Sequence, residues 1–239
     1  YIAFSSFMTY MIKASNVHSE EMGDFMIWHN ASIVQEDLDA SVYRDLKELP
    51  GVEEVFYYHR YSMQIIVPQD KINPDFVKTS EYAKHLKKGN VFELPNNILY
   101  GYENENLNAF KSSLKEGNID IDAINKEKGV LIVQTSHVYK GQSSNSTIMD
   151  VVNYDIGDEI IVTSNFSEEN LDYTKLKVLG ILEMSPIEDP YNLNEAIIMI
   201  TTKEVYDKIQ GTNHNPSFLV KCQQGHSLED IRQYLKGLV

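Results

Sequence analysis

The sequence predicts an α+β fold with two subdomains: a split α/β half built from both chain ends and an inserted β-rich half. Three observations predict it. A β-α-β pattern stands near the start, within 24–67. A β-α-β-α pattern closes the chain after Pro186. Between them, Gly129 to Ser185 carries three strands rich in β-branched residues and bounded by Gly- or Asn-rich turns. Units of the first two kinds pair into one α/β layer structure, which leaves the middle as an insertion.

In chain order, residues 1–21 read as a helix with aromatic and Met residues on most faces, and 24–30 as a strand. A helix over 39–49 follows, with Asp39 as its cap and Val42, Tyr43, Leu46 and Leu49 on one side. Pro50 and Gly51 stop it. Strand character runs from Val52 to Val67; three Tyr, a His and an Arg between Phe56 and Tyr61 predict one exposed face. A polar crossing leads to a short helix over 80–88, then to an extended stretch over 91–102 broken by Pro95 and an Asn-Asn turn. Short helical pieces are read at 107–114 and 122–126.

The central strands are read at 130–133, 159–163 and 176–182, with Gly157 and Gly180 as residues of strand geometry. Two polar inserts, 141–147 and 164–170, read as exposed loops. Near the end come a strand at 195–200, a helix capped by Thr201 with Glu204 completing a capping box, a strand at 218–222 and a last amphipathic helix over 228–238. Val205, Tyr206 and Ile209 form the buried stripe of the penultimate helix.

The chain has 239 residues, Lys+Arg 21 against Asp+Glu 35 and a net charge of −14. A phosphate backbone needs clustered Lys and Arg, and only Leu86 to Lys88 offers a pair, so nucleic acid is excluded as a partner. Cys222 is the only cysteine, which rules out an internal disulfide and a cysteine-based zinc site.

Catalytic and cofactor motifs are absent: no G-x-S-x-G, H-E-x-x-H, P-loop or G-x-G-x-x-G occurs. The seven His, at 18, 29, 59, 85, 137, 214 and 226, show no ligand spacing. Asp155, Gly157 and Asp158 resemble a fragment of a calcium loop, but Phe166 stands where the terminal Glu is required, so a turn is the better reading. Asn30, Asn145 and Asn165 begin N-x-[ST] triplets that carry no meaning without a glycosylating host. Glu168 and Glu169 read as solvated loop charge. Trp28 and the aromatics of 57–61 could form a binding platform, but sheet packing has the stronger claim on them. No catalytic, cofactor-binding or metal residue is assigned.

Four elements in order carry a family resemblance. They are Leu49-Pro50-Gly51-Val52; Gly101 with Leu114, Glu116 and Gly117; the run 129–133 followed by 156–162; and 175–182. From about Asp39 to Val239 the chain resembles the extracytoplasmic domain of MacB/FtsX-type permeases of ABC transporters. It departs from that pattern in a longer insert between Lys140 and Asn153.

The resemblance implies a stalk helix over 1–22 continuing a transmembrane helix and a porter-like subdomain over 23–90 and 186–239. A sabre-like β-rich subdomain over 91–185 would be inserted between the two parts. It also implies a non-enzymatic domain on the extracytoplasmic face of the cell membrane. Such a domain couples cytoplasmic ATP hydrolysis to export or release of a peptide, antibiotic or lipoprotein by mechanotransmission. The partners implied are a second permease subunit, a cytoplasmic ATPase and an adaptor protein or the substrate itself. The alternative is an extracellular ligand-sensing domain of a membrane receptor, and a secreted hydrolase with an uncatalogued carboxylate pair is a third. Hydrophobic spans on both sides are expected for the first two readings.

Overall fold

Apolar residues at alternate positions of six strands meet in one core, and that core organises the larger part of the chain. The computed structural model describes residues 25–28, 40–140, 146–163, 172–183, 195–211, 217–223 and 233. In order, the elements are β1 (Phe25–Trp28), α1 (Ala40–Glu48), β2 (Val52–Pro68), α2 (Pro74–Thr79), β3 (Lys87–Lys88) and β4 (Val91–Tyr102). Then come β5 (Leu114–Gly117), α3 (Ile121–Glu127), β6 (Gly129–Val133), β7 (Thr135–Tyr139) and β8 (Ser146–Asp150). Last are β9 (Glu159–Thr163), β10 (Tyr173–Leu182), β11 (Ile198–Thr202), α4 (Lys203–Gln210) and β12 (Ser217–Cys222). Short 3₁₀ turns lie at Tyr82–His85 and Asn106–Ser113. Helices beside a mixed sheet make the class α+β.

The chain divides into two compact units, Tyr1–His59 with Asn213–Val239, and Arg60–Thr212. In the first, β12 pairs antiparallel with β1 on one side and with β2 on the other. The apolar side of α1 packs on this sheet: Val42, Tyr43, Leu46 and Leu49 meet Val55, Tyr57, Phe218, Val220 and Cys222. Gly51, at φ +87°, ends the helix, and its carbonyl accepts the Gln223 N–H at 2.8 Å. The expected exposed face is confined to Arg60 and, in part, Tyr61, whereas Val55, Phe56, Tyr57, Tyr58 and His59 are all buried. Tyr57 explains why, since its ring lies 5.3 Å from Tyr43, 5.2 Å from Phe218 and 5.4 Å from His59.

In the second unit the strand order is β2-β9-β10-β6-β11-β4, and β2 also pairs with β4. The six strands therefore close on themselves. Pairs β10–β6 and β11–β4 are parallel, whereas β2–β9, β9–β10 and β6–β11 are antiparallel. Closure leaves the six strands without a long free edge. Met63, Ile65 and Val67 of β2, Ile160 and Val162 of β9 and Leu176 and Val178 of β10 are buried in one cluster. Val130 and Ile132 of β6 and Ile197 and Met199 at β11 join the same cluster. Spacing by two is what a strand needs to put one set of side chains on one face.

Arg60–Thr212 forms one compact unit, and β4, β6 and β11 lie within it. β11 sits between β4 and β6 and buries Ile197 and Met199 with them. Of the β-α-β-α succession expected at the chain end, the strand, helix and strand form as β11, α4 and β12, and the last helix lies outside the described residues. The two strands nonetheless pair with different, sequence-remote partners.

Smaller differences have local causes. The helix expected at 80–88 is only the 3₁₀ turn Tyr82–His85 followed by β3, and a separate helix, α2, forms in the polar crossing before it, where Asn73 caps it by accepting the Asp75 N–H at 2.9 Å and Pro74 takes the first turn. Thr202, not Thr201, caps α4 by accepting the Val205 N–H at 3.2 Å. The third helical residue is then Val205, so no capping box forms, and Glu204 pairs with Lys208 at 2.7 Å instead. Thr201 Oγ1 donates to the Gly129 carbonyl at 2.7 Å, stitching β11 to β6. The segment over 114–117 is a strand, β5, paired with β10, where Gly117 stands opposite Gly180. A Cβ on Gly180 would meet Leu131 Cδ2 at 2.6 Å, so this glycine is a close-approach residue. Gly157, at φ +93°, is a turn residue. The expected helices over 1–21 and 228–238 and the loop 164–170 lie outside the described residues.

Candidate functional site

The β7–β8 hairpin forms a two-stranded sheet of its own, with Thr135 opposite Asp150 and Tyr139 opposite Ser146. Its base is fastened by side chains that stand in for backbone. Gln134 Nε2 donates to the Tyr154 carbonyl at 3.1 Å, and its Oε1 accepts the Tyr154 N–H at 2.7 Å. Asn73 Nδ2 donates to the Asp150 carbonyl at 2.7 Å, while its backbone N–H donates to Val151 at 3.0 Å. Thr135 Oγ1 donates to Asp150 Oδ1 at 2.6 Å. Val138 is fully buried, yet Ser146, Thr147 and Ile148 are exposed, Ile148 at 67%. The insert read as a loop over 141–147 is therefore part strand, since Ser146 and Thr147 begin β8; 141–145 lie outside the described residues.

Beside the hairpin base is the turn whose sequence resembles part of a calcium loop. Lys71 Nζ lies 2.5 Å from Asp158 Oδ2 and 3.1 Å from Asp155 Oδ2, so the cation between the carboxylates is the protein's own ammonium. The Asp155 N–H donates to Asp158 Oδ2 at 2.8 Å, and the Gly157 N–H donates to the Val178 carbonyl at 2.8 Å. This is a turn that starts β9, as the spacing predicts. Burial works to raise the Asp158 pKa, but the Asp155 backbone N–H and the Lys71 ammonium outweigh it and hold the carboxyl below the usual range. Hydrogen bonds to Asp158, then Asp155, hold the Lys71 ammonium above the usual lysine range.

The sign of the pH dependence follows. Asp158 contributes stability above the ordinary aspartate pKa of about 3.9, and this is lost as pH falls through its lower folded value. The Lys71 contribution is complete below about 10.4 and is lost above that as the ammonium deprotonates. Lys71→Met should thus cost about 0.5–1 kcal/mol at pH 7, because the pair is partly solvated, and should weaken the loss of stability between about pH 4 and pH 2. Denaturant titrations at pH 7 and pH 3 check this; an equal deficit at both would show that the carboxylates do not depend on Lys71.

Of the other residues singled out in the sequence, His59 is buried in the first unit and His137 Nδ1 lies 3.2 Å from Ser146 Oγ on the hairpin. His18, His29, His214, His226, Asn30, Asn145, Asn165, Glu168, Glu169 and the side chain of Trp28 lie outside the described residues. Among the described residues, no group of three or more His, Cys, Asp or Glu comes close enough to hold a metal ion. Also among them, no helix is long and apolar enough to cross a membrane.

Sequence reasoning missed Gln134, Asn73, Asn97 and Glu195 as organising polar residues. Each acts on backbone far away in the chain, so no local pattern marks it. What the hairpin offers chemically is an exposed, rigidly footed strand with one large apolar side chain. That suits contact with another molecule rather than bond-breaking chemistry.

No protein-family model matches the chain, and no curated protein matches it. Among solved structures it is similar to the periplasmic region of MacB from Actinobacillus actinomycetemcomitans, at 13% identity and a TM-score of 0.49, over 89% of this chain and 80% of that one. It is also similar to the extracellular domain of the noncanonic ABC-type transporter YknZ from Gram-positive bacteria, at 11% identity and a TM-score of 0.47, over 86% of each chain.

Proposed function

We propose that this chain is the extracytoplasmic domain of a MacB/FtsX-type ABC-transporter permease, without catalysis of its own. It would couple cytoplasmic ATP hydrolysis to export or release of a peptide, antibiotic or lipoprotein. The observation that carries the reading is the order of the resembling sequence elements and what they become. Leu49 to Val52 form the α1-to-β2 junction. Leu114 to Gly117 form β5, and the three β-rich runs become β6, β9 and β10, with β10 paired to both of the others. The apolar run over 1–12 fits the start of a stalk, 1–22, that continues a membrane helix, and the acidic balance fits the outer face, where positive-inside topology puts no demand for Lys and Arg. The exposed stretch of β8, with the insert before it, is the contact candidate for an adaptor or cargo.

The test is made on the whole protein in its membrane. Accessibility labelling of a cysteine introduced at exposed Thr147, with Cys222 replaced by Ser, should place this domain outside the cytoplasm. Purification in detergent should bring down an ATPase and a second permease copy. A domain shielded from outside reagents, or a whole protein carrying a signalling kinase after its second span, would overturn the reading.

A further inference from the structure

Glu195 combines three features that a merely structural residue has no need to combine. Its backbone stands at φ +58°, a conformation that strains a side-chain-bearing residue. Its carboxylate is buried, at 9% exposure, and among the described residues its partners are hydrogen-bond donors rather than a cation. Those donors lie on remote segments: Ser80 Oγ donates to Oε2 at 2.7 Å, and the Tyr139 N–H donates to Oε1 at 3.1 Å. The Glu195 N–H in turn donates to the His137 carbonyl at 2.9 Å, and the next N–H, of Ala196, reaches Ser136 Oγ at 3.3 Å.

The His137 carbonyl and the Tyr139 N–H are the groups that point away from β8 on the outer edge of β7. In an antiparallel ladder, outward and inward groups alternate, so Ser136 and Val138 bond to Met149 and Thr147. Glu195 thus occupies the β7 edge as a neighbouring strand would, with its own N–H as donor and its carboxylate in place of a carbonyl. Among the described residues the hairpin has no other ladder to the six-stranded ring. Its other ties include the polar anchors at its base and the packing of Val138 and Met149 on the core.

We propose that Glu195 is a latch on the β7–β8 hairpin, and that releasing it lets the hairpin open as a unit while the ring stays closed. An element that opens alone is one on which a bound partner can act without unfolding the rest. The inference stands independently of the permease reading.

Amide hydrogen exchange on the whole chain tests it. The readout is the inner ladder, Ser136, Val138, Thr147 and Met149, because Tyr139 loses its acceptor trivially. In Glu195→Ala these amides should exchange about tenfold faster or more, with β6, β9 and β10 unchanged. Glu195→Gln keeps an acceptor and should stay near the parent protein. Glu195→Gly relieves the backbone strain but removes the carboxylate, and should open the hairpin as Ala does. Unchanged inner-ladder exchange in Glu195→Ala overturns the proposal, as does faster exchange spread equally over hairpin and ring.

Discussion

Replacing Gly117 by Ala should destabilise the Arg60–Thr212 unit by about 2–4 kcal/mol, lowering its melting transition by roughly 5–15 °C. Two costs combine. Gly117 has φ +88°, which a residue with a Cβ adopts at about 1 kcal/mol. The added Cβ would also stand 2.2 Å from the Leu179 carbonyl oxygen and 2.9 Å from Gly180 Cα, both backbone atoms that no rotamer change can move. Leu179 is held further by the Asn118 N–H, which donates to that same carbonyl at 3.0 Å. Relief therefore requires parting β5 from β10. Gly157→Ala separates the two costs, since Gly157 has φ +93° and no atom lies within 4 Å of the position its Cβ would take. It should lose about 1 kcal/mol and only a few degrees. Equal shifts in the two variants, followed by circular dichroism, would mean that the close approach of β5 and β10 contributes nothing.

The second large effect is expected at Asn97. Its side chain is fully buried, and its Nδ2 donates to the Leu94 carbonyl at 2.6 Å and, more weakly, to Met63 at 3.4 Å. Its Oδ1 accepts the Ile197 N–H at 2.9 Å. One amide thus satisfies backbone on β4 and on the segment entering β11, with a further reach to β2, where Asn96 at φ +62° bends β4. Asn97→Leu keeps the volume but leaves the Leu94 carbonyl and the Ile197 N–H without this partner. At about 1–3 kcal/mol for each of the two buried groups left unsatisfied, the loss should be about 2–6 kcal/mol.

Asn97→Asp keeps the acceptor but buries a charge when ionised. Burial raises the folded-state pKa of the introduced carboxyl, so the folded state binds the proton more tightly and stability falls as pH rises. The variant should therefore be closer to the parent protein at pH 4 than at pH 7. Chemical denaturation at both values gives the comparison. An Asn97→Leu protein as stable as the parent would show that these backbone groups find other partners.

These two residues also mark where local reading stops. The strands at 130–133 and 159–163 are legible from β-branched runs between turn residues, and each forms within a residue of its expected bounds. The helix over 40–48 is legible from the spacing of Val42, Leu46 and Leu49 and from the Pro50-Gly51 stop. By local pattern Asn97 is half of an Asn-Asn turn interrupting an extended stretch, whereas in the fold it is the residue that lets β4 run on through the bend. Neither strand of the hairpin is read from the sequence: the strand read at 130–133 stops short of β7, and Ser146 and Thr147, polar and exposed, gain strand structure only by pairing with Tyr139 and Val138.

By itself the sequence determined the class of fold, the position of most elements, the absence of known catalytic motifs and the turn nature of Asp155 to Asp158. Those depend on side-chain period, on cap and turn chemistry and on charge, all of which act over a few residues. Only the tertiary structure decided that β11 joins β4 and β6, that six strands close into a ring and that Arg60–Thr212 forms one compact unit. It alone placed Glu195 against Ser80, 115 residues away, and Gln134 against Tyr154. Strand pairing is chosen by which apolar faces can be buried together and which backbone groups would otherwise be left unpaired. That choice is made among residues distant in the chain, where no spacing rule reaches.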